Sequence, residues 1–290
     1  MSVPWLQLSL KAPRPALDAV ANFLIERGSP GAVLKKNEVR AFFADSPRIT
    51  ALRREIQRFL RDIRRIYPGF GEQPIRWTPL KENNWSHSWR RFFTPHKVGK
   101  AFWITPPWVD PPKTRRRQII TIEPGMAFGT GSHATTRGCL EFLEELASRA
   151  GGDELTALDV GTGSGILAIA LAKLGASSVV AVDNDPTALK VARGNVRLNG
   201  VWRRVTLSNC RLEKIAECFN LVVANLTAET ILELAGALEE KVAARGYLVL
   251  SGILKPQVGQ ILRRFSSQKF LLERHTRQKE WVTLLLKKRG

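Results

Sequence analysis

Apolar residues between Ala51 and Ile66 fall at positions 52, 56, 59, 60, 63 and 66, the repeat of a single helix face, and Pro68-Gly69 stops the run. The other face carries Arg53, Arg54, Arg58, Arg61, Arg64 and Arg65. Upstream, Trp5 to Leu10 alternates like a half-buried strand, and Ala16 to Gly28 reads as a helix ended by glycine. Ala32 to Lys36 and Val39 to Ala44 suit a hairpin, and Ile75 to Leu80 closes the segment as a strand. This order, β-α-β-β-α-β, is the ferredoxin-like split motif, and it predicts a small α+β domain over residues 1–80.

From residue 118 onward the pattern changes. Strands are predicted at 156–160, 178–183, 205–208, 220–224 and 246–250, with helices at 165–174, 185–199, 228–243 and 256–266. Strands alternating with helices predict an α/β domain built on a parallel sheet. The last two strands, 269–275 and 281–287, have no helix between them and must pair antiparallel. Between the two patterns, residues 81–117 are rich in Trp, Pro and Arg and read as a linker with a lead-in strand, Ala101 to Thr105.

Composition narrows the setting. No apolar run approaches the ~20 residues of a membrane span, and Lys173 interrupts the run from Ile166 to Ala172. The N-terminus lacks the charged-then-apolar design of a signal peptide. Cys139, Cys210 and Cys218 are odd in number and have no metal-ligand spacing, which points to reduced thiols in the cytoplasm. The net charge of +19 is uneven: residues 1–117 hold 23 Lys and Arg against 9 Asp and Glu, and the rest hold 22 against 17. The front part is therefore either a solvated basic surface or a contact for a polyanion.

The candidate chemistry lies in the α/β part. Leu158-Asp159-Val160-Gly161-Thr162-Gly163-Ser164-Gly165-Ile166 reads as strand, glycine turn and helix, and Asp183 ends the next strand. Glycine lets the backbone turn tightly and approach a ligand with no Cβ in the way, and the helix presents free N–H groups at its start. A dinucleotide fold would place Gly or Ala where Ile166 stands, so a pyrophosphate is disfavoured. A carboxylate at Asp183 can accept both hydroxyls of a ribose.

Two further segments bracket this turn. In Glu123 to Thr136, the glycines make Phe128 to Ser132 a loop, and Thr135 and Thr136 open a helix. Their hydroxyls either cap that helix or donate to a ligand carboxylate at its N-terminus. His133 is either a base or a structural hydrogen-bonding group. It has no nearby His or Cys with which to bind metal. Asn225 sits just past the fourth predicted strand, on the edge where Gly161 and Asp183 also end strands. Its amide oxygen could accept from an amine; its commoner role is in a turn. Together the three segments point to S-adenosylmethionine, with Phe128, Thr130, Thr136, Gly161, Gly163, Asp183 and Asn225 as candidate cofactor residues and Asn225 as the candidate catalytic residue.

The same segments resemble the ribosomal protein L-eleven methyltransferase family. The resemblance is carried by Glu123-Pro124-Gly125 through Phe128-Gly129-Thr130-Gly131 to Thr135-Thr136, by Gly161 to Ile169, by Asn199-Gly200-Val201, and by Asn225-Leu226. Ser251-Gly252-Ile253-Leu254, Glu280-Trp281 and the aromatic run from Trp85 to Trp103 extend it over nearly the whole chain. Ala134 and Ser132 depart from the family's usual Pro and Thr. The resemblance implies a Rossmann-like class I methyltransferase sheet preceded by the ferredoxin-like domain. It implies S-adenosylmethionine contacts at Thr136, Gly161, Asp183 and Asn225, a ribosomal protein as substrate recognised by the front domain, and a linker that lets the catalytic domain reach several amines. A monomer with no membrane partner is expected. The basic excess does not follow from the resemblance; contact with ribosomal RNA would reconcile it.

Two other functions compete. A nucleic-acid N-methyltransferase fits the basic front part, but Leu226-Thr227-Ala228 offers no aromatic to stack a flipped base. A non-catalytic RNA-binding adaptor fits the charge, but the glycine turn, Asp183 and Asn225 are intact.

Overall fold

The computed structural model describes residues 5–29, 31–67, 70–71, 74–80, 93–114, 116–124, 129–149, 155–265 and 269–290. The chain folds as two units, residues 1–94 with 124–128, and residues 95–123 with 129–290. Trp85, Trp89, Arg115 and Phe128 lie outside the described residues.

The front unit runs β1 (Trp5–Lys11), α1 (Leu17–Glu26), β2 (Ala32–Lys35), β3 (Glu38–Ala44), α2 (Ile49–Ile66) and β4 (Arg76–Leu80). Its strands pair antiparallel in the order β2-β3-β1-β4, the ferredoxin-like arrangement. Leu8 and Leu10 of β1 and Val39, Ala41 and Phe43 of β3 are buried with Leu52, Ile56, Leu60 and Ile63 of α2. The apolar stripe of α2 thus meets one face of the sheet, and Phe59 stacks on Phe23 with ring centroids 3.9 Å apart.

The second unit opens with a three-stranded sheet of β5 (His96–Val98), β6 (Phe102–Thr105) and β7 (Gln118–Thr121). Here β6 is antiparallel to β5 and parallel to β7. Then follow α3 (Ala134–Arg149), β8 (Thr156–Val160), α4 (Ile166–Lys173), β9 (Ser178–Val182), α5 (Pro186–Leu198), β10 (Val205–Ser208) and β11 (Phe219–Asn225). The chain ends with α6 (Ala228–Glu233), α7 (Ala235–Lys241), β12 (Val242–Leu254), α8 (Val258–Phe265), β13 (Phe270–Gln278) and β14 (Trp281–Lys288).

These strands form one seven-stranded sheet in the order β10-β9-β8-β11-β12-β14-β13. The first five are parallel, and β14 inserts antiparallel between β12 and β13. A nine-residue strand followed by a two-residue turn leaves no length for a crossover helix, which is why the terminal pair is antiparallel. Buried clusters cover both faces: Ala157, Leu221, Val223 and Val249 on one, Leu158, Val222, Leu248 and Leu250 on the other. The single helix expected over 228–243 is instead two short helices meeting at Leu234, and Val242 already belongs to β12. The β11–β12 pairing shifts register between Phe219 and Leu221, and Arg245 within β12 takes φ 62°.

Candidate functional site at the carboxyl edge of the sheet

Parallel pairing sets Val160 beside Val182 and Ala224 beside Val160, so the turns after β8, β9 and β11 emerge on one edge. The turn after β8 bends toward β9: the N–H groups of Gly161 and Thr162 both donate to the Val182 carbonyl, at 2.9 and 3.0 Å. Gly161, Gly163 and Gly165 take φ of 74°, 55° and 83°, the left-handed region that costs other residues energy. At Gly161 space is a second constraint, because a Cβ would overlap Cδ2 of Leu226. The bare backbone after β8 thus lies against the residue that follows Asn225.

Asp183 is held by amides. Its Oδ2 accepts the Gly163 N–H at 2.9 Å and its Oδ1 accepts the Asp185 N–H at 3.0 Å. Each oxygen keeps a second lone pair, so the bonds fix the carboxylate while leaving it able to accept hydroxyls. Asp185 caps α5 by accepting the Thr187 N–H at 2.7 Å.

The start of α3 lies against Asn225. His133 occupies the capping position: its Nδ1 accepts the Thr135 N–H at 3.3 Å and lies 2.7 Å from Thr135 Oγ1. The cap is the imidazole, not a threonine hydroxyl. Thr136 is fully buried, and Asn225 Nδ2 donates to its Oγ1 across 3.4 Å. That contact brings together the two sequence segments farthest apart. Thr130 Oγ1 sits 3.1 Å from Ser132 Oγ on the loop before the helix. The loop is pinned to the glycine turn by Ser164 Oγ, which donates to the Gly129 carbonyl at 2.6 Å. Gly161, Gly163, Asp183 and Asn225 are all half-buried.

Some site residues escape the sequence reading. Asp159 is completely buried within β8, where its Oδ2 accepts Thr162 Oγ1 at 2.7 Å and the Ala168 N–H at 3.2 Å. It ties the glycine turn to the first turn of α4. Burial pushes its carboxyl up to about 7, helped by the charge of Asp183 and opposed by those two hydrogen bonds. The available signal was an acid inside the otherwise apolar strand Ala157-Leu158-Asp159-Val160. Asn195 is a second case: from α5 its Nδ2 donates to the Ser164 carbonyl at 2.8 Å. Gly252 is a third. It takes φ 85°, and a Cβ there would overlap the Leu226 carbonyl oxygen.

A seven-stranded sheet in this order, with a glycine turn after one central strand and an acid after its neighbour, defines a class I methyltransferase. The model of the family "Ribosomal protein L11 methyltransferase (PrmA)" matches residues 4–289, and the chain belongs to that family. A ribosomal protein L11 methyltransferase of Geobacter sp. (strain M21) is 36% identical over 306 residues, covering 99% of each chain. One of Citrifermentans bemidjiense is also 36% identical over 306 residues, again at 99% coverage of each. Among solved structures, a ribosomal protein L11 methylase from Lactobacillus delbrueckii subsp. bulgaricus superposes with a TM-score of 0.61 at 34% identity, covering 68% of this chain and 100% of that one. The residues present fit the cofactor S-adenosylmethionine: a turn free of side chains at Gly161 and Gly163 stands beside a carboxylate oriented by the turn's own amide.

Proposed function

We propose that this protein transfers methyl groups from S-adenosylmethionine to amino groups of ribosomal protein L11, on α-amines, lysine ε-amines or both. The observation that carries the reading is the convergence of four segments on one edge: Gly163 bonded to Asp183, Gly161 against Leu226, Asn225 bonded to Thr136, and Ser164 bonded to Gly129.

In this reading Asp183 accepts the ribose hydroxyls, and the backbone at Gly161 and Gly163 receives the amino-acid end. Thr136 and Thr130 line the opposite wall, with Phe128 assigned to the same wall from its sequence position alone. The bound sulfonium supplies an already reactive methyl group, so the protein's task is alignment. Asn225 performs it. With its Nδ2 turned to Thr136, its amide oxygen is left to accept from the incoming amine. The amine must be neutral to react. Deprotonation at pH 7 costs about 4.6 kcal/mol for a lysine and about 1 kcal/mol for an α-amine. An α-amine is thus the easier acceptor, and a lysine needs the desolvation that a half-buried edge provides.

The front unit recognises the protein substrate, the chain acts as a monomer, and the reaction runs in the cytoplasm where ribosomes assemble. The test is transfer of tritiated methyl from S-adenosylmethionine to purified L11 and, separately, to protein-free ribosomal RNA. Label in the protein that disappears with Asn225→Ala supports the proposal. Label only in the RNA, or in neither, overturns it.

A further inference from the structure

We infer that the exposed arginine stripe of α2 is a docking surface for the sugar-phosphate backbone of RNA. Arg54, Arg58, Arg61 and Arg65 are all exposed, and their i, i+4, i+7, i+11 spacing puts them within about 60° of arc on one face. Successive members rise about 6, 4.5 and 6 Å, a row roughly 16 Å long. Among the described residues no ion pair neutralises any of the four. Of the two acids on the helix, Glu55 is taken by Arg27 at 2.8 Å, and Asp62 forms no ion pair among the described residues. Helix α2 holds six arginines and no lysine. A guanidinium fork binds phosphate through two parallel hydrogen bonds, which an ammonium cannot.

The row is a surface for charge alone. The opposite face of α2 contributes Leu52, Ile56, Leu60 and Ile63 to the core, so it has no apolar side to insert into a bilayer. A row of similarly spaced bidentate donors suits a ligand with a repeating anion, which a nucleic-acid backbone supplies. That the RNA is ribosomal rests on the substrate proposed above; the arginine–phosphate contact does not.

The test uses the full chain and fluorescence anisotropy with a labelled 20-nucleotide single-stranded RNA, from 50 to 200 mM KCl. Four phosphate contacts contribute a slope of about −2.8 in log affinity against log salt, or about 50-fold over that range. Replacing Arg54, Arg58, Arg61 and Arg65 by Gln should remove this component. A matched control replaces Lys190, Arg193, Arg197 and Arg203, which are exposed on α5 and the turn after it. It removes the same charge and should leave the slope within about 0.5 of the parent. Calorimetry with S-adenosylmethionine shows that each variant is folded, independently of the RNA result. Changing the four stripe arginines to Lys should keep most of the slope yet weaken binding several-fold. Equal losses in the stripe and control variants, or equal binding of poly-glutamate or phosphatidylserine vesicles at 150 mM salt, overturn the assignment. So does an unaltered slope in the stripe variant.

Discussion

The two large sheets of this protein meet water differently. In the front unit Leu6, Leu8 and Leu10 are buried while Gln7 and Ser9 between them are half-exposed, so one face is core and the other is not. In the second unit β11 buries Leu221 through Ala224 without a break, and β14 buries Val282 through Leu286. Helices on both sides leave no wet face along these two strands, and exposure returns only toward the sheet's edges, as at β13. A polar residue therefore means different things in the two places. In the front unit it is the ordinary half of an alternation, and only its charge in aggregate is informative. In the second unit a buried polar group such as Asp159, Ser251 or Thr283 must be held by specific partners. The candidate cofactor site accordingly lies at the strand ends of the second sheet, while the front unit offers charge.

The sharpest break is Asp183→Ala. On the proposed reading two charge-assisted bonds to ribose hydroxyls are lost, together with the bond that orients Gly163. Affinity for S-adenosylmethionine should fall at least about 100-fold by calorimetry, and methyl transfer should fall with it, while RNA affinity stays at the parent value. A parallel loss of RNA affinity would mean the two chemistries are not divided between the units.

Next is Gly252→Ala. The left-handed backbone and the approach to the Leu226 carbonyl both oppose a Cβ, and together they should cost about 3 kcal/mol in urea unfolding. By contrast Gly28→Ala in the front unit, at φ 99° but with nothing within 4 Å, should cost only the conformational part, about 1 kcal/mol. Equal costs would show that close packing behind Leu226 does not matter to the site.

Much of this division was legible in the chain. The runs at 156–160, 178–182 and 219–225 are apolar because their strands are covered on both faces, and such runs need no partner to be recognised. The absence of a helix between the last two strands dictated their antiparallel pairing. What was not legible depends on contacts that form only once the chain has folded. His133 became the cap because its ring folds forward onto the Thr135 amide, and the chain turns at Leu234 inside the expected helix. The strands His96–Val98 and Gln118–Thr121 are too short to show a pattern, and they exist through pairing with Phe102–Thr105. The role of Asp159 is invisible in the sequence because its partners, Thr162 and the Ala168 amide, become neighbours only once the turn closes.

That buried carboxyl gives a test with a defined sign. Its folded-state value is raised from 3.8 to about 7. A raised carboxyl stabilises the fold fully below its unfolded value, and that contribution is lost as pH rises through the folded value. Between pH 5 and 7 the parent should lose about 2 kcal/mol from this group. Asp159→Asn cannot titrate there, so the gap between parent and variant stability should shift by that amount over the same interval. Urea midpoints at the two pH values measure it; a constant gap would mean the carboxyl is not the titrating group.

The smallest effect concerns the front unit and completes the comparison. Like charges three and four residues apart on a helix repel by a few tenths of a kcal/mol per pair. Arg54 with Arg58, Arg58 with Arg61, and Arg61 with Arg65 make three such pairs, with no ion pair to relieve them among the described residues. Replacing the four by Gln, whose helix propensity is close to that of Arg, should stabilise the chain by about 1 kcal/mol at 20 mM salt. The gain should largely vanish at 500 mM, where screening acts within a few ångströms. Thermal unfolding at the two salt concentrations reads both. A stabilised variant that has lost RNA affinity would show that the stripe is retained at a cost to folding, for the contact it makes. A destabilised variant would place the arginines in the fold itself, and the contrast between a unit built for burial and one built for charge would fail.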